Sequence, residues 1–396
     1  MAKQVDEAPP SLRLAAEDID ALRLVSQQLR HEVAAQYLDF ADRCKRKLDR
    51  LRWRHIRSQE DIHTFQEVDV PDGTIDDVSQ WPQRAMATRL NLRRVLVTGK
   101  IPGKLDDVMY GSAFHDSASL RALTDFQCSV ISDPTVVATI DEASIDDPFR
   151  FCGVAWFTLR FPTLMPMILQ RRDCLVLTDA RVSTLRNGNR IGTLVSHSID
   201  HPSFVRAEHT PPAIRVTLSL VHICRQVDRE SLEFFALHVM HVGGSAPSSI
   251  ALMASVRCLA VSIRKVFDEA LRKKLVFIMH DKGRLLGPNK SRRRALGALC
   301  DVCGAKRHQR LFAFKSGVCQ LCDAVTCPRC SVIQHLITDV SILPPSAKPF
   351  IFCTPCIINV MRLPVRHVAH QELLKRHARD VGDSETASSS FRLLDE

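Results

Sequence analysis

Eight cysteines within the last hundred residues restrict the folding choices of this chain more than any other feature. They form four Cys-x2-Cys pairs, Cys300/Cys303, Cys319/Cys322, Cys327/Cys330 and Cys353/Cys356, separated by 15, 4 and 22 residues. A two-residue spacer lets both sulfurs of a pair reach one ion at about 2.3 Å, the zinc–thiolate distance. Four pairs fill two tetrahedral sites with no open position, so zinc here is structural rather than catalytic. The four-residue gap between Cys322 and Cys327 crowds neighbouring pairs and favours alternation. Cys300, Cys303, Cys327 and Cys330 are then expected on one ion, and Cys319, Cys322, Cys353 and Cys356 on the other. The remaining six cysteines, Cys44, Cys128, Cys152, Cys174, Cys224 and Cys258, stand singly and read as small buried or half-buried thiols.

Metal is preferred to disulfides because the N-terminal ten residues have no apolar signal core. No stretch approaches the roughly 18 apolar residues of a membrane-spanning helix. A soluble, cytoplasmic protein is therefore expected. The apolar supply around the cysteines is thin, chiefly Phe312, Phe314, Val318, Leu321, Val325, Phe350 and Phe352. Metal binding must supply much of the local stability, at roughly 10–16 kcal/mol per structural site.

The first 280 residues have a different character. Apolar residues recur at helical spacing from Leu22 through Val25, Leu29, Val33, Tyr37 and Phe40 to Leu51, predicting a long amphipathic helix or helix pair from Ser11 to about Arg52. Trp53–Val70 begins an irregular or β region. Strand-like runs follow at 95–98, 136–140, 149–159, 174–178, 181–185, 190–197, 214–224 and 232–241. Asn187-Gly188 marks a hairpin between two of them. A long helix is predicted over about 248–279, with Leu252, Val256, Leu259, Ile263, Val266 and Ala270 as one stripe. Helix, antiparallel sheet and closing helix make an α+β domain, whose sheet needs a large element to cover its apolar face.

Other motifs fail on inspection. Gly99-Lys-Ile-Pro-Gly-Lys104 has three residues between its glycines, and Leu105 stands where a phosphate loop needs Ser or Thr. Asp106-Asp107 reads as a first-turn dipole feature of a short helix. His31-Glu32 opens a zincin-like string, but Ala35 occupies the second His position. His197, His222, His238 and His241 lie on expected strands and read as packed residues. Neither an enzyme nor a catalytic site is expected. Residues 282–310 hold nine Lys or Arg against one acid, Asp301. This cluster reads as a solvated basic linker, with attraction to an anionic membrane surface the next reading. With only His308 as an interleaved aromatic-type ring, a base-reading surface is disfavoured. Eight thiolates and two divalent ions together contribute −4, so the formal charge of +10 becomes about +6.

The four-residue gap before an all-Cys pair, with Phe350 and Phe352 ahead of the last pair, resembles a FYVE finger more than a RING or PHD finger. Upstream, the string from Thr98 through Pro102-Gly-Lys-Leu-Asp-Asp-Val-Met-Tyr110 to Gly111, with Asp147–Phe151 and Ile191–Ser198, resembles proteins that join a START-like domain to a C-terminal FYVE-type finger. The likeness covers roughly residues 15–360. It implies a helix-grip fold, a curved antiparallel sheet around a long C-terminal helix that encloses an apolar tunnel for sterols or phospholipids. The chain departs from phosphoinositide-binding FYVE fingers in three places. Lys315-Ser-Gly-Val-Cys319-Gln-Leu replaces the basic RRHHCR-type string, Ala295–Leu299 lacks the WxxD, and Phe350-Ile-Phe-Cys353 replaces RVC. Few cationic donors remain for a phosphate.

The resulting organisation is a flexible arm (1–15), a START-like lipid-binding domain (16–280), a basic linker (281–294), a FYVE-like double zinc finger (295–362) and a helical, then disordered tail (363–396). The expected function is non-enzymatic: a lipid or sterol ligand in the first domain, and docking by the finger to a protein partner or, less favoured, to phosphoinositide at endosomal membranes. A RING-like ubiquitin ligase and a nuclear regulator using the basic cluster are the alternatives.

Overall fold

The computed structural model describes residues 10–68, 94–127, 131–159, 172–185, 188–205, 213–244, 248–283, 299–306, 317–339 and 346–380, together with 82, 83, 86 and 92. Side chains of 127, 248–264 and 378–380 are outside this description. The chain divides into two compact units, residues 1–142 with 149–269 and residues 143–148 with 270–396.

The first unit is built on one large sheet. Its strands are β1 (Trp53–Gln59), β2 (Ile62–Glu67), β3 (Val95–Pro102), β4 (Ile131–Asp141), β5 (Phe151–Leu159), β6 (Arg172–Thr184), β7 (Arg190–Ser198), β8 (Ile214–Arg215), β9 (Thr217–Gln226) and β10 (Ser231–His241). They lie in the order β1-β2-β3-β10-β9-β7-β6-β5-β4 with antiparallel neighbours, and short β8 pairs in parallel with β6. Helices α1 (Ala16–Leu38), α2 (Leu105–Ser112), α3 (Ser117–Gln127) and α4 (Ser248–Asp281) complete the order. This is the α+β arrangement expected: helix, antiparallel sheet, long C-terminal helix.

Register assigns the strand residues to two faces, because directly paired residues share a side and neighbours along a strand alternate. Leu96, Ile191, Val195, Val221, Ile223, Phe235 and Leu237 form one core with Leu29, Val33, Tyr37 and Phe40 of the first helical segment. On the opposite face Ala155, Cys174, Val176, Leu218, Leu220 and Met240 gather with Leu120 of α3 and Phe114. Both faces are therefore apolar, which is why the central strands read as continuous hydrophobic runs.

α1 is fixed to its face by buried charge as well as by packing. Its N-terminus is capped by the Asp18 carboxylate, which accepts from the Ala15 N–H at 2.8 Å. Arg30 reaches buried Asp179 at 2.7 Å, and Arg23, Arg150 and Arg181 converge on Asp141. Burial raises the Asp141 carboxyl, but hydrogen bonds from Arg150 and Arg23 outweigh it and hold the group below the usual carboxylate range. At the other end Tyr37 donates to Glu233 at 2.6 Å, and Arg46 and Arg225 pair with the same carboxylate.

Three sequence expectations need correction, and one left open is settled. The first helix stops at Leu38, continues as a π-helical turn over Asp39–Arg43, and ends in two left-handed residues, Lys45 (φ 48°) and Arg46 (φ 62°). The fold over-determines this costly backbone: the Arg46 N–H donates to the Phe40 carbonyl while its guanidinium binds Glu233. Residues 10–15, expected within a loose arm, are docked. Ser11 forms an antiparallel bridge with Val205, and Leu12 is buried beside Val154, Trp156 and Leu175. The runs at 174–178 and 181–185 are one strand, β6. Trp53–Glu67, left irregular or β by the sequence, is the β1–β2 hairpin.

The string shared with the START-like resemblance is explained by close approach. Gly103 adopts φ +140°, and a Cβ there would lie 2.2 Å from the Phe267 ring of α4. At Gly111 a Cβ would meet the Val266 carbonyl oxygen at 2.0 Å. Only glycine lets this segment lie against α4. The phosphate-loop reading fails here too, because the Leu105 N–H at the start of α2 is taken by Gln226 Oε1 at 2.7 Å. Asp106 pairs with Arg190 at 2.6 Å. Of the predicted α4 stripe, Leu252, Val256, Leu259 and Ile263 lie outside the described side chains, whereas Val266 is buried.

The second unit contains two small hairpins, β11 (Gly317–Val318) with β12 (Val325–Thr326) and β13 (Ser331–Leu336) with β14 (Lys348–Cys353). Helices α5 (Thr354–Arg362) and α6 (Val365–Asp380) follow. Leu275 and Met279, from the end of α4, are fully buried in the same core as Leu321, Leu336, Phe352, Ile357 and Val360. This core is larger than the sequence suggests, because α4 and α5 add to it. Lys375 of α6 pairs with Asp281 and lies 4.6 Å over the Phe277 ring. Phe312, Phe314, the basic stretch 284–298, residues 1–9 and the tail 381–396 lie outside the described residues.

Candidate metal centre

Each cysteine pair is shaped by its backbone before any ion is considered. In the first two, the residue after the second cysteine takes the left-handed conformation, Gly304 at φ 67° and Asp323 at φ 60°. Glycine and aspartate are residue types that tolerate it. The chain thereby folds back: the Gly304 N–H donates to the Cys300 carbonyl at 2.8 Å, and the Asp323 N–H to the Cys319 carbonyl at 3.0 Å. The third pair is closed by a 3.0 Å bond from the Cys330 N–H to the Cys327 carbonyl. The fourth is built into a helix start. Cys353 caps α5, its sulfur accepting from the Cys356 N–H at 3.4 Å. Thiolate charge at a helix N-terminus is favoured by the unpaired N–H groups there.

Cross-links then bring distant pairs together. The Cys327 N–H donates to the Cys300 sulfur at 3.3 Å, and Asp301 exchanges two bonds with the backbone of Val325. The Gln320 N–H donates to the Ile351 carbonyl, and the Thr354 N–H to the Cys330 carbonyl. The outcome is two groups of four sulfurs. Cys300, Cys303, Cys327 and Cys330 form one, and Cys319, Cys322, Cys353 and Cys356 the other, with all ligand atoms of a group within 4.8 Å of one another. First and third pairs combine, as do second and fourth.

Both groups fit a metal ion. A tetrahedron with bonds of about 2.3 Å places its sulfurs roughly 3.8 Å apart. The Cys303–Cys327 and Cys322–Cys353 sulfurs are separated by 3.7 Å. A disulfide would need about 2.05 Å. The thiols also perturb one another in the way four close ligands must. Hydrogen bonds from the Cys322 and Cys356 side chains drive Cys319 far below the ordinary thiol range, and contacts with Cys319 and Cys322 drive Cys356 far above it. A cation that lets all four ionise removes this conflict. Each tetrad can hold one ion, which would staple two pairs separated by long loops and expose no reactive position.

The single cysteines behave differently. Cys152, Cys174 and Cys224 are buried, and burial pushes each thiol up to about 12. Cys44 is half-buried, whereas Cys128 and the Cys258 side chain lie outside the description. One polar feature escaped the sequence reading. His222 and His238, sixteen residues apart, stack at 4.9 Å between ring centroids with their Nε2 atoms 2.7 Å apart. No spacing rule signals this pair, since it depends on the β9–β10 register.

No protein-family model matches this chain, and no curated protein matches it. Solved structures resemble it at low identity. The human StAR-related lipid transfer protein 5 has 12% identity and a TM-score of 0.41, over 63% of this chain and 97% of that one. Human STARD10 has 13% identity and a TM-score of 0.38, over 59% and 79%. A STAR-related lipid transfer protein from Xanthomonas axonopodis has 12% identity and a TM-score of 0.35, over 55% and 98%.

Proposed function

We propose that this chain is a non-enzymatic binding protein in which a START-like domain takes an apolar lipid ligand and a FYVE-type, zinc-stapled finger docks a protein partner. The observation that carries the reading is the pair of closed four-sulfur groups. They have the separations zinc requires and leave no position for a substrate. Zinc is favoured over other ions because all-thiolate tetrahedral sites in a small module suit it.

Support for the ligand reading comes from the sheet. Its face opposite α1 carries an apolar cluster drawn from β5, β6, β9 and β10. Support for protein rather than phosphoinositide docking comes from the second cysteine pair. Gln320 is 2% exposed and Leu321 is 6% exposed, so the two residues after Cys319 present no cationic surface. A phosphate held there would find few donors.

Native mass spectrometry of the purified chain tests both halves. Two zinc ions and a bound lipid per chain are expected. A chain with fewer than two metal equivalents, or one that never carries lipid after exposure to mixed vesicles, contradicts the corresponding half.

A further inference from the structure

The face of the sheet opposite α1 carries a polar pair within apolar surroundings. His238 is paired across β10 with Leu220 and Val95 and lies two residues from Ala236 and Met240. His222 is paired with Ala236 and meets the Phe234 ring edge-on at 5.5 Å. Leu218, Cys224 and Val97 occupy neighbouring positions of the same face by register. His238 is only 2% exposed, and its Nδ1 has no hydrogen-bond partner among the described residues. Leaving such an atom unpaired costs free energy, so a group that satisfies it is stabilising.

The geometry points to the His222–His238 pair as a binding site for the hydroxyl group of an uncharged lipid. This rests on the apolar-ligand reading and narrows it. The 2.7 Å contact between the two Nε2 atoms makes one ring the donor and the other the acceptor. If His238 Nε2 donates, Nδ1 accepts; if it receives, Nδ1 carries the proton. A hydroxyl pairs with either tautomer, because it is both donor and acceptor. A carboxylate or phosphate pairs with only one, and it would need a cation. Burial holds both rings neutral, pushing His222 down to about 4 and His238 below the ordinary imidazole range. Headgroups such as phosphocholine therefore gain nothing here, whereas a sterol or a long-chain alcohol does.

The test uses the full zinc-loaded chain with three probes: radiolabelled cholesterol, cholest-5-ene (the same sterol without its 3-hydroxyl), and phosphatidylcholine. Cholesterol should bind at least tenfold more tightly than cholest-5-ene, which can neither donate to Nδ1 nor accept from it. His238→Phe should erase that preference while leaving phosphatidylcholine binding unchanged. Competition with hexadecanol separates a general hydroxyl site from one shaped for a sterol. Equal binding of cholesterol and cholest-5-ene to the unaltered chain overturns the proposal without any variant. Binding of phosphatidylcholine but neither sterol probe overturns the proposal and spares the lipid reading. Binding of no probe removes both.

Discussion

The sulfur atoms of Cys322 and Cys353, thirty-one residues apart, lie 3.7 Å from each other. They belong to different Cys-x2-Cys pairs, so this separation is a measure of cross-bracing rather than of local turn geometry. Cys319→Ser should release one metal equivalent and keep the second, with elemental analysis as the readout. Exhaustive chelation should remove both and unfold the second unit. The β-sheet circular dichroism of the first unit should persist. Loss of that signal on chelation would contradict the independence of the two cores.

Glu233 is the hub at the C-terminal end of the first helix. Burial raises its carboxyl, and hydrogen bonds from Arg46 and Tyr37 more than offset this. Tyr37→Phe removes one neutral donor and should cost about 1 kcal/mol in denaturant unfolding. Glu233→Ala leaves Arg46 and Arg225 without their common partner and should cost about 3–5 kcal/mol. Similar losses for the two variants would show that the carboxylate is not the shared element.

The histidine pair links stability to pH. Both rings have depressed pKa values when folded, and both regain an ordinary value near 6.5 when unfolded. The unfolded chain therefore binds more protons below pH 6.5. Stability is full above that value and declines as pH falls toward about 4, by up to about 1.4 kcal/mol per pH unit for each ring. Denaturation midpoints measured from pH 7.5 to 4.5 should trace this slope, and His222→Phe should flatten it. The depressed carboxylates Asp141, Glu67 and Glu233 act in the same direction, at lower pH.

Gly111→Ala places a methyl against the Val266 backbone oxygen, which has no rotamer to escape by. A destabilisation of about 1–3 kcal/mol is expected. Metal content should stay at its starting value. A neutral substitution would show that α2 and α4 can separate at no cost.

Much of the site was legible because metal ligation imposes spacing on sequence. Sulfur pairs two residues apart, with a short gap between the middle pairs, leave few ways to share two ions. The central strands were legible for a related reason: residues such as Val176 and Phe235 lie in a sheet covered on both sides, so hydrophobicity is continuous. β1 was not legible as a strand because it is an exposed edge, with Arg54, His55, Arg57 and Ser58 all facing water. The helix end at Leu38 was hidden because apolar spacing continues through Phe40 to Leu48, while the turn at Lys45 and Arg46 is set by a carboxylate on β10. Leu275 and Met279 read as ordinary members of an amphipathic helix, and only tertiary packing reveals that they serve the core of the cysteine-rich unit.

That last placement matters to anyone who wants the finger by itself. A fragment beginning at 295 retains all eight thiols yet discards the hydrophobic floor supplied by α4, and Leu321, Phe352 and Ile357 would meet water on the side it used to cover. Recombinant boundaries set ahead of Ala270 keep that floor and should give a fragment that accepts its metal and stays monodisperse.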